Sequence, residues 1–175
     1  MLVEAPGTLT LRRHRDLVGR GWHTWLRHGL LVVPVALIVL GLLNVFGQHP
    51  SSSHADGPAA ALDIYSPARV RGGLLFESRF TIRAHRDLKA PKLVLDSGWF
   101  EQMTINSLMP QPSVQTDRNG RVVLTFDSLP AGQKLVFWLF FQVNPTNIGH
   151  RSQDIELDDG DTPLLHIERS VTVFP

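Results

Sequence analysis

The most constraining feature of this chain is an apolar run over residues 29–47, which contains no charged side chain and a single amide, Asn44. At the helical rise of about 1.5 Å per residue, this run spans about 28 Å, close to the hydrocarbon thickness of a bilayer. A helix that is apolar on every side does not suit the surface of a soluble domain of this size. The run therefore predicts a single transmembrane helix over residues 29–47.

The charges that precede the run predict its orientation. Residues 1–28 contain five arginines and only two acidic side chains. Positive charge accumulates on the cytoplasmic side of membrane helices, so residues 1–28 are predicted to be a cytoplasmic basic segment and the C-terminal part extracytoplasmic, in the cell (plasma) membrane. Arginine and tryptophan also anchor helix ends at the interface with the lipid headgroups. The predicted membrane-interface residues are Arg20, Trp22, Trp25 and Arg27.

Cleavage of the apolar run as a signal peptide is the alternative to a retained anchor. The basic segment is long for a signal peptide, and the run exceeds the usual apolar length of about 7 to 15 residues. A small-x-small site at Ser53-His54-Ala55 leaves cleavage after Ala55 open. We expect an uncleaved signal-anchor, because both lengths favour it.

The residues that follow the run suffice for one compact domain. Residues 48–61 are rich in Ser, Pro and Ala and lack an apolar period, which predicts a flexible linker. The chain contains no cysteine, so disulfides and thiolate metal sites are excluded. The basic excess lies in residues 1–28, so the lipid bilayer is an expected partner and nucleic acid is not.

From residue 62 onward, apolar side chains recur at every second position. Phe76, Phe80 and Ile82 alternate with Glu77 and Arg79, as on a half-buried strand. Turn residues separate the alternating runs, and Asn119-Gly120 is a strong hairpin signal because both positions tolerate positive φ. About seven such strands predict an all-β domain over residues 62–175, an antiparallel β-sandwich.

Residues 120–145 add a resemblance to a known family. A strand is followed by a Leu-x-x-Gly corner, Leu129 to Gly132, and by a long alternating strand, Leu135 to Val143. This pattern resembles that of bacterial immunoglobulin-like extracytoplasmic surface domains. The resemblance implies an immunoglobulin-like sandwich and, by analogy, a role in adhesion or scaffolding. The cysteine pair of antibody domains is absent.

Signatures of catalysis are not found in the sequence. It contains no Gly-x-Ser-x-Gly elbow, no His-Glu-x-x-His, no Ser-x-x-Lys and no phosphate-binding glycine loop. His85, His150 and His166 lack the spacing of metal ligands within one element, so they are interpreted as ordinary surface or strand-end histidines. We therefore expect neither an enzyme nor a cofactor.

An acidic run near the C-terminus is the weak candidate for a metal site. Calcium prefers several carboxylate and carbonyl oxygens from one tight loop, but the spacing here lacks the EF-hand pattern. An Asp-Asp-Gly-Asp sequence between two alternating strands is also typical of a solvated hairpin turn, which is the interpretation we favour. The candidate ligands are Asp154, Glu156, Asp158, Asp159 and Asp161.

The strand from Leu135 to Val143 is apolar on both faces. If its odd-numbered residues fill the core, then Val136, Trp138 and Phe140 point outward together, as a patch that something should cover. The favoured explanation is that the stretch from Trp99 to Pro112 folds across this patch, because an uncovered strand of this kind invites aggregation. The other explanation is a partner-binding surface, for which aromatic residues are typical.

Together these features predict a membrane-anchored, non-catalytic accessory or scaffolding protein. Its extracytoplasmic β-sandwich would bind another envelope or membrane protein. The alternative is a ligand- or metal-sensing exodomain, which would act through a membrane partner because a cytoplasmic segment over residues 1–28 is too short for an output domain.

Overall fold

The computed structural model of the protein describes residues 21–45 and 47–175. Arg20, one of the predicted interface residues, lies outside the described residues, as does most of the predicted cytoplasmic segment 1–28. The chain divides between Val45 and Phe46 into two compact units.

The first unit contains one helix, α1 (Gly21–Leu42). Its stretch Trp25–Leu42 has a mean hydropathy of 1.9 and no buried residue, so α1 is long and apolar enough to cross a membrane. The helix begins earlier and ends earlier than the apolar run over residues 29–47 predicts. It ends early because Asn44 takes a left-handed φ of 54°, a conformation with which helices commonly terminate.

The second unit contains twelve strands among the described residues. Ten of them begin after the segment 48–61 that was predicted to be a linker, whereas β1 lies within that segment and β2 begins within it. The strands are β1 (His49–Asp56), β2 (Ala60–Arg71), β3 (Leu75–Ala84), β4 (Pro91–Leu95), β5 (Met103–Met109), β6 (Val114–Arg118), β7 (Arg121–Thr125), β8 (Lys134–Val143), β9 (Gly149–Ser152), β10 (Ile155–Asp159), β11 (Thr162–Ile167) and β12 (Ser170–Phe174).

These strands form two sheets. The larger sheet has the order β5-β8-β3-β2-β12-β9, with β1 also paired to β2, and the smaller sheet has the order β11-β10-β4-β7-β6. All pairs are antiparallel except β2 with β12. The predicted fold class, an all-β sandwich that follows one apolar helix, is confirmed. The strands outnumber the predicted seven partly because the apolar alternation over residues 165–173 divides between β11 and β12, which belong to different sheets.

The core lies between the two sheets and is rich in aromatic rings. On β3 the even-numbered side chains from Phe76 to Ala84 are all buried, as the alternation predicts. The ring of Phe80 lies 5.6 Å from that of Phe137 on β8, and Phe76 stacks on Phe141 at 4.9 Å. Alternation along β3 therefore places one row of side chains in the core and the other on the outer face of the larger sheet.

The predicted flexible linker, residues 48–61, is wrong over most of its length. His49–Asp56 forms β1, which pairs antiparallel with β2 from Arg69 back to Ala61. The side chain of Ala55 packs against the core, while Ser52 and His54 are exposed. A strand of small and polar residues lacks an apolar period, and here it is held by backbone hydrogen bonds along the side of β2.

The predicted hairpin turn at Asn119-Gly120 is confirmed. It connects β6 to β7, with φ values of 55° and 77° at the two central residues. The corner at Leu129 to Gly132 also forms a turn before β8. There the Asp87 carboxylate accepts a hydrogen bond from the Ala131 backbone N–H at 2.8 Å.

Candidate protein-binding surface

The long strand β8 has the alternation that the sequence predicts. Phe137, Phe141 and Val143 are fully buried in the core. Val136, Trp138 and Phe140 are half-buried on the outer face of the larger sheet. The three residues proposed as partner-binding candidates therefore share one face.

The predicted cover for this face is wrong. Trp99, the first large residue of the stretch from Trp99 to Pro112, is completely buried in the core, 5.3 Å from Phe80 and 6.0 Å from Phe141. Met103–Met109 forms β5, which pairs edge-to-edge with β8 and does not cross it. Trp99 can lie in the core and not on the outer face because its indole Nε1 donates a hydrogen bond there, to the Gln153 carbonyl oxygen at 3.1 Å.

One row of side chains crosses five adjacent strands on this face. The strand register places Arg79 opposite Trp138 on one side and opposite Tyr65 on the other. Ser52 and Met109 end the row, as the register partners of Tyr65 and Trp138. Tyr65 is 40% exposed and Met109 is 59% exposed, so the row offers apolar area to solvent. We name this row, together with Val136 and Phe140, the aromatic face.

A guanidinium lies between two rings at the centre of the aromatic face. The Cζ atom of Arg79 lies 5.4 Å from the ring centroid of Tyr65 and 5.3 Å from that of Trp138. Phe140 stacks beside Trp138 with the centroids 6.5 Å apart and the planes 14° from parallel. Cation–π contacts on both sides hold Arg79 in place and fill the space between the rings.

Three shallow hollows join along this face. The largest, of about 480 Å³, is lined by Leu75, Glu77 and Phe140, among others. A hollow of about 210 Å³ shares Glu77 with it, and shares Tyr65 with a third of about 410 Å³ that reaches Arg79. The surface is therefore grooved, which suits an inserted side chain better than a flat sheet does.

The charged groups on and beside the aromatic face differ in whether they have a partner of opposite charge. Asp63 is paired with Arg83 at 3.1 Å and with His54 at 2.7 Å. Arg79 and Glu77 make neither an ion pair nor a side-chain hydrogen bond with any residue in the described part of the chain. One cation and one anion, two positions apart on β3, are thus left available.

The acidic run lies on the hairpin of β10 and β11, and its side chains have separate partners. Asp154 accepts from the Arg169 N–H, and Asp159 accepts from the N–H groups of Lys89 and Ala90. Asp161 lies 3.2 Å from Lys92. In residues 21–45 and 47–175, no three His, Asp or Glu side chains are grouped as a metal site would need.

Glu156 and Asp158 belong to an ion-pair network on the outer face of the smaller sheet. Glu156 lies 2.7 Å from Arg121 and 3.4 Å from Arg118, and Arg118 lies 3.5 Å from Asp158. The Asp158 side chain is only 4% exposed. Burial raises the pKa of Asp158 above its usual value, while the nearby Arg118 guanidinium opposes the shift.

A half-buried arginine, Arg169, lies on the other side of Trp99. The guanidinium of Arg169 lies 5.3 Å from the Trp99 ring centroid and donates a hydrogen bond to the Ser66 carbonyl oxygen at 3.1 Å. Desolvation lowers the pKa of Arg169 to about 10, which still leaves the group charged at neutral pH. The guanidinium of Arg169 thus contacts the backbone at Ser66 and the ring of Trp99.

The three histidines considered as ligands do not meet. His85 lies 3.5 Å from Asp56, His166 lies 3.9 Å from Glu156, and His150 hydrogen-bonds Thr172 at 3.2 Å. All three have polar partners on neighbouring strands, as surface histidines commonly do.

Tyr65, Arg79 and Met109 were not identified as site residues from the sequence. Their strands were partly recognisable, but their position depends on which strands are neighbours. The signal that was available is the alternation of β3, which already assigns Arg79 to the outer face. The alternation does not give the register between strands, which places Trp138 on one side of Arg79 and Tyr65 on the other.

No protein-family model and no curated protein matches the sequence. Solved structures that it resembles include AvmM, which catalyses macrocyclization in alchivemycin A biosynthesis, with a TM-score of 0.46 and 9% identity over 73% of this chain and 97% of that one. CaCohA2 from Clostridium acetobutylicum has a TM-score of 0.42 and 13% identity over 68% and 93%. A non-cellulosomal cohesin from the archaeon Archaeoglobus fulgidus has a TM-score of 0.40 and 14% identity over 61% and 86%. These likenesses are too distant to bear on function.

Proposed function

We propose that this protein is a membrane-anchored, non-catalytic accessory or scaffolding subunit whose β-sandwich binds another envelope or membrane protein through the aromatic face. The helix α1 would be the retained anchor, with residues 1–28 in the cytoplasm and the sandwich outside. The length and apolarity of α1 and the arginines that precede it support this arrangement.

The observation that carries the proposal is the row Tyr65–Arg79–Trp138–Met109. Monomeric domains rarely expose aromatic and aliphatic side chains contiguously across several strands. Interface cores are enriched in Tyr, Trp, Met and Arg, and all four residue types occur in this row. The side chain of Arg79 and the three hollows give the face specific shape and charge in addition to apolar area.

Site-specific photo-crosslinking tests this proposal in the native membrane. A benzophenone amino acid is placed at position 138 or 140 of the full chain, and the control position is Thr116 on the exposed strand β6 of the other sheet. We expect one protein to be crosslinked from both 138 and 140 and not from 116. The same pattern of products from all three positions would contradict a specific interface.

A substitution pair then relates the crosslink to binding. Trp138→Thr combined with Phe140→Thr should abolish co-purification of that protein while the domain stays folded. Val114→Thr, which removes an exposed apolar side chain from β6, should leave it unchanged. Loss of co-purification in both variants would argue against the aromatic face as the binding site.

A further inference from the structure

The Arg79 side chain is held in place by two rings and has no acidic partner in the described part of the chain. Its guanidinium is held between Tyr65 and Trp138, at 5.4 Å and 5.3 Å from their ring centroids, and the residue is exposed. An arginine stacked on rings keeps its N–H donors at the edge of its plane, where they can bind both oxygens of a carboxylate. Because the rings already restrict the side chain, less conformational entropy is lost when an anion binds.

The charges around Arg79 limit how strongly it attracts an anion. Glu77 lies two positions away on the same face of β3, about 7 Å along the strand, and has no cation of its own among the described residues. Asp63 lies in the neighbouring strand and is already paired with Arg83 and His54. A phosphate is attracted more strongly by Arg79 than a carboxylate is, but it is also repelled more strongly by Glu77 and gives up more hydration on binding.

The hollow of about 480 Å³ lies on the side of Arg79 towards the start of β3. Leu75 and Phe140 contribute apolar surface to it, and Glu77 forms part of its rim. Along one face of a strand, positions 75 and 79 are about 13 Å apart and positions 77 and 79 about 7 Å. One segment of a partner could therefore place an apolar side chain in this hollow and an anion on Arg79, both from neighbouring positions.

We propose that Arg79 is the receptor for a carboxylate side chain of the protein partner, and that the hollow beside Phe140 takes an apolar side chain close to that carboxylate. The inference rests on the proposed function and specifies the chemistry of the partner. The partner is an acidic and apolar protein segment. Glu77 opposes the binding of anions at Arg79, which keeps the site weak for an anion that has no apolar group beside it.

Nuclear magnetic resonance with a small probe tests the site without the partner. The probe is 3-phenylpropionate, whose ring and carboxylate imitate the two features, and it is titrated into the full ¹⁵N-labelled chain in detergent micelles. The chain has four tryptophans, and the indole N–H of Trp138 reports on the site. The indole of Trp99, which is buried and donates to the Gln153 carbonyl oxygen, is the internal control.

We expect a saturable shift of the Trp138 resonance with a dissociation constant in the millimolar range, because one exposed charge-assisted contact is weak. The resonance of Trp99 should not move. The neutral analogue 3-phenylpropionamide should bind at least about fivefold more weakly, since it cannot form the charged bidentate contact.

Two variants should change this affinity in opposite directions. Arg79→Gln should weaken probe binding about tenfold, and Arg79→Lys should weaken it less because it keeps the charge without the planar fork. Glu77→Gln should strengthen binding about twofold, since it removes a neighbouring negative charge. An unchanged Trp99 resonance in each variant shows that the core is intact.

The carboxylate site is overturned if Trp138 does not respond to the probe, if the amide binds equally well, or if Arg79→Gln has no effect. Inorganic phosphate binding more tightly than the probe would overturn the choice of a carboxylate. The proposed function is judged separately by crosslinking from position 138. A specific crosslink that survives Arg79→Gln would retain the protein interface and remove Arg79 from it.

Discussion

The indole Nε1 of Trp99 donates a buried hydrogen bond to the carbonyl oxygen of Gln153 at 3.1 Å, which joins two segments that are 54 residues apart in the chain. Trp99 ends a 3₁₀ turn, Ser97–Trp99, and Gln153 lies between β9 and β10. Trp99 lies where the chain passes from β4 in the smaller sheet to β5 in the larger one, and Gln153 lies where it returns from β9 to β10, so the contact joins two connections between the sheets. It also directs the chain away from the outer face of β8, so the aromatic face is not covered by this segment.

Trp99→Phe should destabilise the domain by about 2 to 4 kcal/mol. The change removes buried volume and leaves the Gln153 carbonyl oxygen without its indole donor. Urea denaturation of the full chain in detergent, followed by circular dichroism of the β-domain, measures the effect. Trp138→Phe is the control and should change the free energy of unfolding by less than about 1 kcal/mol. Equal effects of the two substitutions would contradict the burial of Trp99.

Phe137 and Trp138 should respond differently to truncation because they occupy opposite faces of β8. Phe137→Ala or Phe141→Ala removes a fully buried ring and should destabilise the domain by about 3 to 5 kcal/mol. The double substitution of Trp138 and Phe140 by Thr should cost much less and should increase solubility. The urea midpoint of each variant measures the difference. A large loss of stability in the double variant would mean that these rings are structural.

The sequence predicted the alternation of β3 and β8 because period two is a local property of the chain. It did not predict β1, because Ser51, Ser53 and Ala55 are too small to produce an apolar period. Their strand is held by backbone hydrogen bonds to β2. It also did not predict that Trp99 is in the core, since that depends on a carbonyl group 54 residues away. The local sequence pattern therefore predicted which faces of the strands are buried, but it did not predict the contacts between distant segments.

The candidate surface shows the same division between local and distant information. Val136, Trp138 and Phe140 were identified because β8 is apolar on both faces. Arg79 and Tyr65 join them only through the order of strands β2, β3 and β8 in the larger sheet. The register of a sheet is fixed by the packing of its buried face as a whole, and no single run of residues contains it.

Ser66 and Ser78 should show strong coupling in a double-mutant cycle. Their hydroxyl groups hydrogen-bond each other at 2.7 Å in the core, and both residues are completely buried. Either single change to Ala should destabilise the domain by about 1 to 3 kcal/mol, because it leaves one buried hydroxyl group unpaired. The double change to Ala should cost less than the sum of the two, and unfolding in urea gives all four free energies. Additive single effects would contradict the mutual hydrogen bond.

Cleavage after Ala55 would remove most of β1, so we expect the mature protein to retain its N-terminal segment. The mass of the protein purified from membranes decides this directly. A chain that begins at Gly57 should be less stable than one that begins at Gly47, since it loses the pairing with β2 and the contact of Ala55 with the core. Equal stability of the two truncated chains would show that β1 is dispensable. A measured mass that corresponds to a chain beginning at Asp56 would show cleavage after Ala55.

Asp158 should make the stability of the domain depend on pH in the weakly acidic range. Burial raises its pKa in the folded state, so between the ordinary value near 4 and the raised one the folded chain binds more protons than the unfolded chain. The contribution of Asp158 is therefore most favourable below the unfolded pKa and is lost as the pH rises through the folded pKa.

Asp158→Asn should remove this dependence. The free energy of unfolding of the variant should rise relative to the natural protein as the pH increases from about 4 to 7, because the natural protein must then hold a buried carboxylate. Arg118 keeps a partner in the variant, since it also lies 3.4 Å from Glu156. The matched control is Asp161→Asn on the same hairpin, which makes the same chemical change at a fully exposed carboxylate. If the two variants have the same profile in urea denaturation at each pH, burial does not set the pKa of Asp158.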